Sequence, residues 1–432
     1  MNRRDLLSSS VALAILPSLA FGYQDSVNSL IEQGFAAQRR GDYVAMESLL
    51  RRAVSYGRYD EGVLRGLAWA LCRQEKFSEA IQIAISNNNR NPCALSVAGV
   101  CETYVATGDF AEARKWLRLA MDHRSEWGAA RPIFEMCVEQ AAIKTYLLEY
   151  ILDPAVLAAK RFLAHLNGDF LCPSPIPDLP YQTSTYEVLG ARTVRETSRA
   201  GNFCLRITPD GRQLAHLRYT VVITPQNYRA QAQDFSSADV PAEIRPLMQA
   251  THDVEVYDPT VQELAASLRD SSAIKSIENV CRWSHNNLKY EGHGDWHANG
   301  GGTVAVLRRK TGMCEGESSA TIGLLRAVGI PARFVRGHGG IGETSGVPSD
   351  HTWVEFYVPS LGWIQWDQEN VAFTVPARSC IGEFRYNAPY AAAGGGDPET
   401  RDLWNFEAVA FPGGITYGVS GNVTYRRMKA TV

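Results

Sequence analysis

Along the first third of the chain, small and aromatic positions recur at a fixed interval. Tyr43, Phe77 and Phe110 stand 34 and 33 residues apart, each just after a short polar turn in "GDYVAM", "EKFSEA" and "GDFAEA". Three residues after them come Met46, Ala80 and Ala113, and nine residues before them Gly34, Ala68 and Cys101. Small residues let two helices approach and an aromatic fills the gap between them, so the pattern predicts stacked helix pairs. Residues 129–166 read as two further helices that cap the array. In "CPSPIPDLPYQ", Cys172 to Gln182, four prolines exclude helix, and the stretch reads as a protease-sensitive linker. Beyond it the apolar period changes to two. "STYEVLGARTVRET", "FCLRITPDG" and "RYTVVITP" predict strands with a Pro-Asp-Gly turn. Helical spacing returns between Pro259 and Leu288, first on Val261, Leu264, Ala265 and Leu268, then on Ile274, Ile277 and Cys281.

Two later stretches carry mixed signals. "RKTGMCEGESSATIGLLRAVGIPARFVRGHG", Arg309 to Gly339, reads as loop, helix and strand. Leu324, Leu325 and Val328 give the helix an apolar face, and Gly329 and Pro331 stop it. "SDHTWVEFYVPSLGWIQWDQ" reads as a hairpin: a strand from Thr352 to Val358, a turn at Pro359–Gly362 and a return strand from Trp363 to Trp366.

Composition narrows the class. The 432 residues are 45% hydrophobic and 21% charged, with net charge −3, ordinary for a globular protein and without the basic runs of a nucleic-acid surface. Nine scattered cysteines, with no C-x-x-C, exclude a zinc ribbon or a thioredoxin motif. "MNRRDLLSSSVALAILPSLAFG" has a basic start, a short apolar run and small residues near its end, so residues 1–22 are expected to be an export signal. Arg3 and Arg4 resemble a twin-arginine signal, a general secretory signal being the alternative. No later segment is apolar enough to span a membrane. The location expected is periplasmic or extracellular.

The candidate chemistry centres on Cys314. It stands where the loop becomes the helix, and a helix N-terminus favours a thiolate. A nucleophile also needs a base, and the base an orienting group. His351 opens the first hairpin strand and Asp367 follows the second, so both lie near the open end of the hairpin. Each residue alone has a bland reading: a buried apolar cysteine, a structural histidine, a turn aspartate. Together they supply nucleophile, base and orienting acid.

The order and spacing of Gly312-Met313-Cys314, "RAVGIPARFVRG" and "HTWVEFYVPSLGWIQWD" resemble the transglutaminase-like cysteine superfamily. The resemblance implies a papain-like core with a Cys-His-Asp triad, carried here by Cys314, His351 and Asp367. Family members include cross-linking acyl transferases, peptidases, amidases and forms without catalysis. Many add an upstream side chain to the oxyanion hole; Tyr290, Trp296 and His297 are the candidates, with Tyr290 preferred and a partly buried core tyrosine as its alternative. The N-terminal period resembles the tetratricopeptide repeat. Arg114, Trp116 and Arg118 on its outer face are candidates for binding a protein partner.

Three other patterns carry less. Gly337-x-Gly339-x-x-Gly342 matches a dinucleotide fingerprint in letters but leads into Ser345, Gly346 and Pro348 rather than a helix, and reads as a rim loop. "GESSA" at Gly316 lacks the last glycine of a serine-hydrolase elbow, and Ser318 falls inside the helix. His285, His293 and His297 have no carboxylate or thiol at metal-binding spacing and read as surface residues. No cofactor, metal or nucleic acid is expected.

The fold expected is α+β. A leader (1–22) precedes an all-α helical-repeat arm (23–166), a proline-rich linker (167–182), a β layer (183–254) and a transglutaminase-like α+β domain with antiparallel sheet (255–432). The activity expected is thiol-dependent acyl transfer at amide bonds of a protein or peptide. Hydrolysis is favoured over cross-linking because no calcium-binding loop marks a regulated cross-linker. The alternative is a catalytically silent binding module that uses the helical repeats.

Overall fold

The computed structural model describes residues 26–152, 170–177, 179–199, 202–291, 302–339, 345–346, 349–368, 370, 372–375, 381–386 and 423–432. The expected leader, Trp296, His293, His297 and Gly342 lie outside these residues. The chain forms two compact units, one running to Ala141 and including Val432, the other Ala142–Thr431.

The first unit is helical: α1 over 26–39, α2 (Tyr43–Ser55), α3 (Glu61–Cys72), α4 (Phe77–Arg90), α5 (Ala94–Ala106), α6 (Phe110–Met121) and α7 (Arg131–Ala141). The recurring turn has a physical cause. Gly41 and Gly108 both take φ +74°, a conformation open to glycine at little cost. The following Asp42 and Asp109 then cap α2 and α6, accepting hydrogen bonds from the Ala45 and Glu112 amides. In the middle copy Glu75 makes the same left-handed turn at φ 59° without a glycine. The small positions work as expected: a Cβ on Gly34 would meet Leu50 Cδ2 at 2.9 Å, and Ala68 and Cys101 are buried. Arg114, expected on the outer face, instead donates to the Ala141 carbonyl at the end of α7, and Trp116 packs against the helical core. Arg118 is exposed.

The boundary falls earlier than expected. Of the two capping helices, α7 forms, but Ile143–Leu152 is a strand, β1. Tyr146, Leu148 and Tyr150 alternate into the core of the second unit, with β6 (Ala215–Ile223) on one side and β16 (Val423–Thr431) on the other, both antiparallel. The proline-rich stretch is not a free linker either. Cys172, Ile176, Leu179 and Tyr181 are buried, and the Gln182 amide donates to the Ile176 and Gly382 carbonyls. Prolines exclude regular structure there, but its side chains still enter the core.

The second unit contains a sheet in which β6 pairs with β1 and with β3 (Gln182–Leu189), β3 and β6 both coming from the expected β layer. Another sheet has the order β13 (Gly362–Trp366), β12 (Ser349–Val358), β10 (Ala332–Gly339) and β15 (Ile381–Tyr386). The described part also holds four α-helices: α8 (Pro259–Leu268), α9 (Ala273–Asn287), α10 (Thr303–Arg309) and α11 (Cys314–Ala327). Every residue of α11 from Gly316 to Ala327 is buried, so this helix is enclosed rather than amphipathic. Cys281 is buried in the core as its helical spacing implied, and Trp283 packs against it. Among the described residues no helix is long and apolar enough to cross a membrane.

Candidate active site

Cys314 is the first residue of α11, with Met313 in extended conformation before it. Lys310, at φ 59°, ends α10 and turns the chain into β9 (Thr311–Gly312). This short strand runs parallel to β8 (Lys289–Tyr290), with Tyr290 opposite Gly312. Gly312 lies close to the first turn of α11: a Cβ there would stand 3.3 Å from the Glu317 nitrogen. Tyr290 is therefore held two residues from the thiol in register, and at 61% exposure it is not the core tyrosine of the alternative reading.

A small pocket is lined by Cys314, Glu317, His351, Trp353, Trp366 and Asp367, among others. The structure thus brings the three sequence-predicted residues to one place. Cys314 is half-buried, and the His351 and Asp367 side chains are 24% and 26% exposed. His351 Nε2 lies 3.0 Å from Asp367 Oδ2, and the carboxylate accepts the ring N–H.

The neighbours hold both partners in place. The His351 ring stacks on Trp353 at 5.6 Å and 25°, and Trp353 Nε1 donates to Gln365 Oε1 at 2.7 Å. Asp367 Oδ1 accepts from the Gln368 amide at 2.8 Å. Gln368 Nε2 donates to the Ser284 carbonyl on α9, and His285 Nδ1 donates to the Gln368 carbonyl at 2.7 Å. His285, read from the sequence as a surface residue, is exposed and also helps to orient the aspartate loop. Among the described residues no group of three or more His, Cys, Asp or Glu side chains is placed to hold a metal ion. Ser318 lies inside α11 as expected, donating to the Thr352 carbonyl.

On β10, Gly339 faces the imidazole. A Cβ there would fall 2.7 Å from His351 Cβ and 2.9 Å from Cγ, closer than two carbons approach. Gly339→Ala is expected to push the ring off its Trp353 and Asp367 contacts and to lower the rate of Cys314 alkylation at neutral pH by tenfold or more, ~1.4 kcal/mol. An unchanged alkylation rate in a folded variant would contradict this positioning of the ring.

Glu317 was not singled out in the sequence. It sits one turn beyond Cys314, 6% exposed. Burial pushes its carboxyl up to about 7; the Asp367 charge adds to the rise and His351 opposes it. Burial pushes the Cys72 and Cys101 thiols up to about 12, and those of Cys137 and Cys281 further up. Cys93 is exposed.

Residues 260–368 match the sequence profile described as the Transglutaminase-like superfamily. An 85-residue stretch is 38% identical to YebA, an uncharacterised protein of Bacillus subtilis (strain 168), covering 17% of this chain and only 11% of that relative. Among solved structures, a proposed cysteine protease from Cytophaga hutchinsonii aligns over 66% of this chain and 98% of its own, at 14% identity and TM-score 0.40. The periplasmic domain of TgpA from Pseudomonas aeruginosa aligns over 46% and 68%, at 19% identity and TM-score 0.29. Residues 260–368, within the second unit, thus match the Transglutaminase-like superfamily, and a helical region precedes them in the sequence.

Proposed function

We propose that the protein is a thiol-dependent amide hydrolase with Cys314 as nucleophile, His351 as general base and acid, and Asp367 as orienting acid. One observation carries the reading: the 3.0 Å contact of His351 Nε2 with Asp367, in the pocket that Cys314 enters from the first position of α11. With Nε2 given to the aspartate, Nδ1 is the nitrogen that exchanges a proton with the thiol. The imidazole takes the Cys314 proton, and the thiolate attacks the amide carbonyl carbon. The imidazolium then protonates the amine nitrogen, the C–N bond breaks, and a thioester remains on Cys314. Water, deprotonated by His351, releases the acid and restores the thiol. Negative charge on the carbonyl oxygen is met by the Cys314 N–H at the helix start, and the exposed Tyr290 beside Gly312 is our candidate for a second donor.

A binding role for the arm, of tetratricopeptide type, is a second reading. The exposed Leu119, Met121 and Met136 favour it, since apolar side chains left outside a helical core are a means of holding a protein partner. The substrate class proposed is a protein or peptide amide, and the leader-like N-terminus favours an exported setting.

An activated amide probe, applied to the exported fraction of producing cells with or without a fluorescent primary amine, tests the proposal. Intact mass is expected to show one acyl adduct that maps to Cys314, on a chain lacking residues 1–22. The adduct should resolve mainly to the acid even with the amine present. No adduct would contradict the catalytic reading, and mainly amine-linked product would make the protein a cross-linker.

A further inference from the structure

We infer that Glu317 is a positioning residue for His351, a second buried carboxyl whose charge holds the imidazolium in place at the upper end of the working pH range. The inference rests on the proposed pairing of Cys314 with His351.

Residues three apart on a helix share a face, so Glu317 follows Cys314 into the pocket that His351 and Asp367 also line. The two carboxyls there are unequal. Asp367 already accepts hydrogen bonds at both oxygens, from His351 and from the Gln368 amide. Such bonds favour the charged form. Glu317 is 6% exposed, and a second negative charge in this small volume is favoured only while the ring is positive. Glu317 therefore keeps its proton at low pH and loses it near neutrality, which the rise caused by burial and by Asp367 supports.

His351 on β12 and Asp367 after β13 line the same pocket. β10, which also packs on α11, carries the buried Arg336, opposite Thr352, and the buried His338. α9 presents the neutral Ser284 hydroxyl, which Thr321 contacts. The buried faces of α8 and α10 present Val261 and Ala265, and Val306 and Leu307. On α11 itself Glu315 lies in the first turn, half-buried. β8 carries Lys289 and Tyr290, both exposed.

Alkylation of Cys314 by iodoacetate, an anion, reads both ends of the ion pair. The rate rises as the thiolate forms and falls as the imidazolium is lost. The experiment uses the full chain with Cys93 and Cys380 changed to serine. Glu317→Gln keeps the size and polarity of the neutral acid and removes its charge. The falling limb is expected to move down by about half a pH unit or more, with the rising limb unchanged, since Glu317 is neutral there. Glu317→Asp, which keeps the charge, should restore much of the falling limb and remains informative if the glutamine variant does not fold. Superimposable profiles, or an equal loss of rate at every pH, would overturn the inference. A parent protein with no bell, rising only as a free thiol titrates, would instead overturn the catalytic pairing itself.

Discussion

Cys314→Ala is expected to abolish amide-directed turnover, and His351→Ala to reduce it nearly as far. The first change removes the atom that forms the thioester. The second removes both the proton acceptor and the positive charge that stabilises the thiolate. Asp367→Ala takes away only the group that fixes the ring through Nε2. A loss of about 10²–10⁴-fold is expected, because the stack on Trp353 still restrains the imidazole. The losses should not add, since the three side chains act as a unit. Steady-state kinetics on the probe, compared with the triple variant, checks this. Turnover that survives Cys314→Ala at the parent level would place the chemistry elsewhere.

The largest stability effect is expected at Glu355. Its side chain is fully buried, and its Oε2 accepts from Arg333 Nε at 2.8 Å and Arg385 Nε at 3.0 Å. Arg333 also lies over the Trp363 ring at 3.7 Å. Glu355 shares one face of β12 with His351 and Trp353, because alternate residues of a strand point the same way. Glu355→Ala leaves two arginines without the carboxylate they enclose. Stranding buried charge in this way costs about 3–5 kcal/mol. Urea unfolding of the full chain, followed by a probe of the second unit, should show the midpoint fall accordingly. A loss under about 1 kcal/mol would mean that water replaces the carboxylate and that the network is less closed than its burial indicates.

Much of the candidate site was legible because each part has a local signal. The apolar face of Leu324, Leu325 and Val328 marked a helix, and that placed Cys314 at its start. The alternation and turn of "HTWVEFYVPSLGWIQW" marked a hairpin, and strands at Ser349–Val358 and Gly362–Trp366 followed. Gly339 and Gln368 gave no such signal. Their roles depend on β10 lying beside β12 and on the Asp367 turn lying against α9, contacts between segments far apart in the chain. Glu317 was missed for another reason. An acidic residue in the first turn of a helix ordinarily faces water, whereas α11 is enclosed from Gly316 onward.

The domain boundary failed in a similar way. "IKTYLLEYIL" has the leucine and isoleucine content of a helix, and its alternation is masked by Leu147 between Tyr146 and Leu148. It is a strand because β6 and β16 flank it, and β16 lies nearly the whole length of the second unit away in sequence. The proline-rich segment likewise has no period to read, yet Gln182 satisfies the Ile176 carbonyl that an irregular buried backbone leaves open and ties the segment to Gly382 of β15.

The central claim is that Cys314 and His351 form a reactive ion pair. The most direct measurement is the alkylation rate of Cys314 by iodoacetamide against pH, in parent and His351→Ala chains that both carry serine at positions 93 and 380. The account predicts fast labelling of the parent near neutrality, well below the free cysteine pKa of roughly 8.5, and loss of that reactivity in His351→Ala. A parent Cys314 that titrates as a free thiol, with the same profile in His351→Ala, would contradict it.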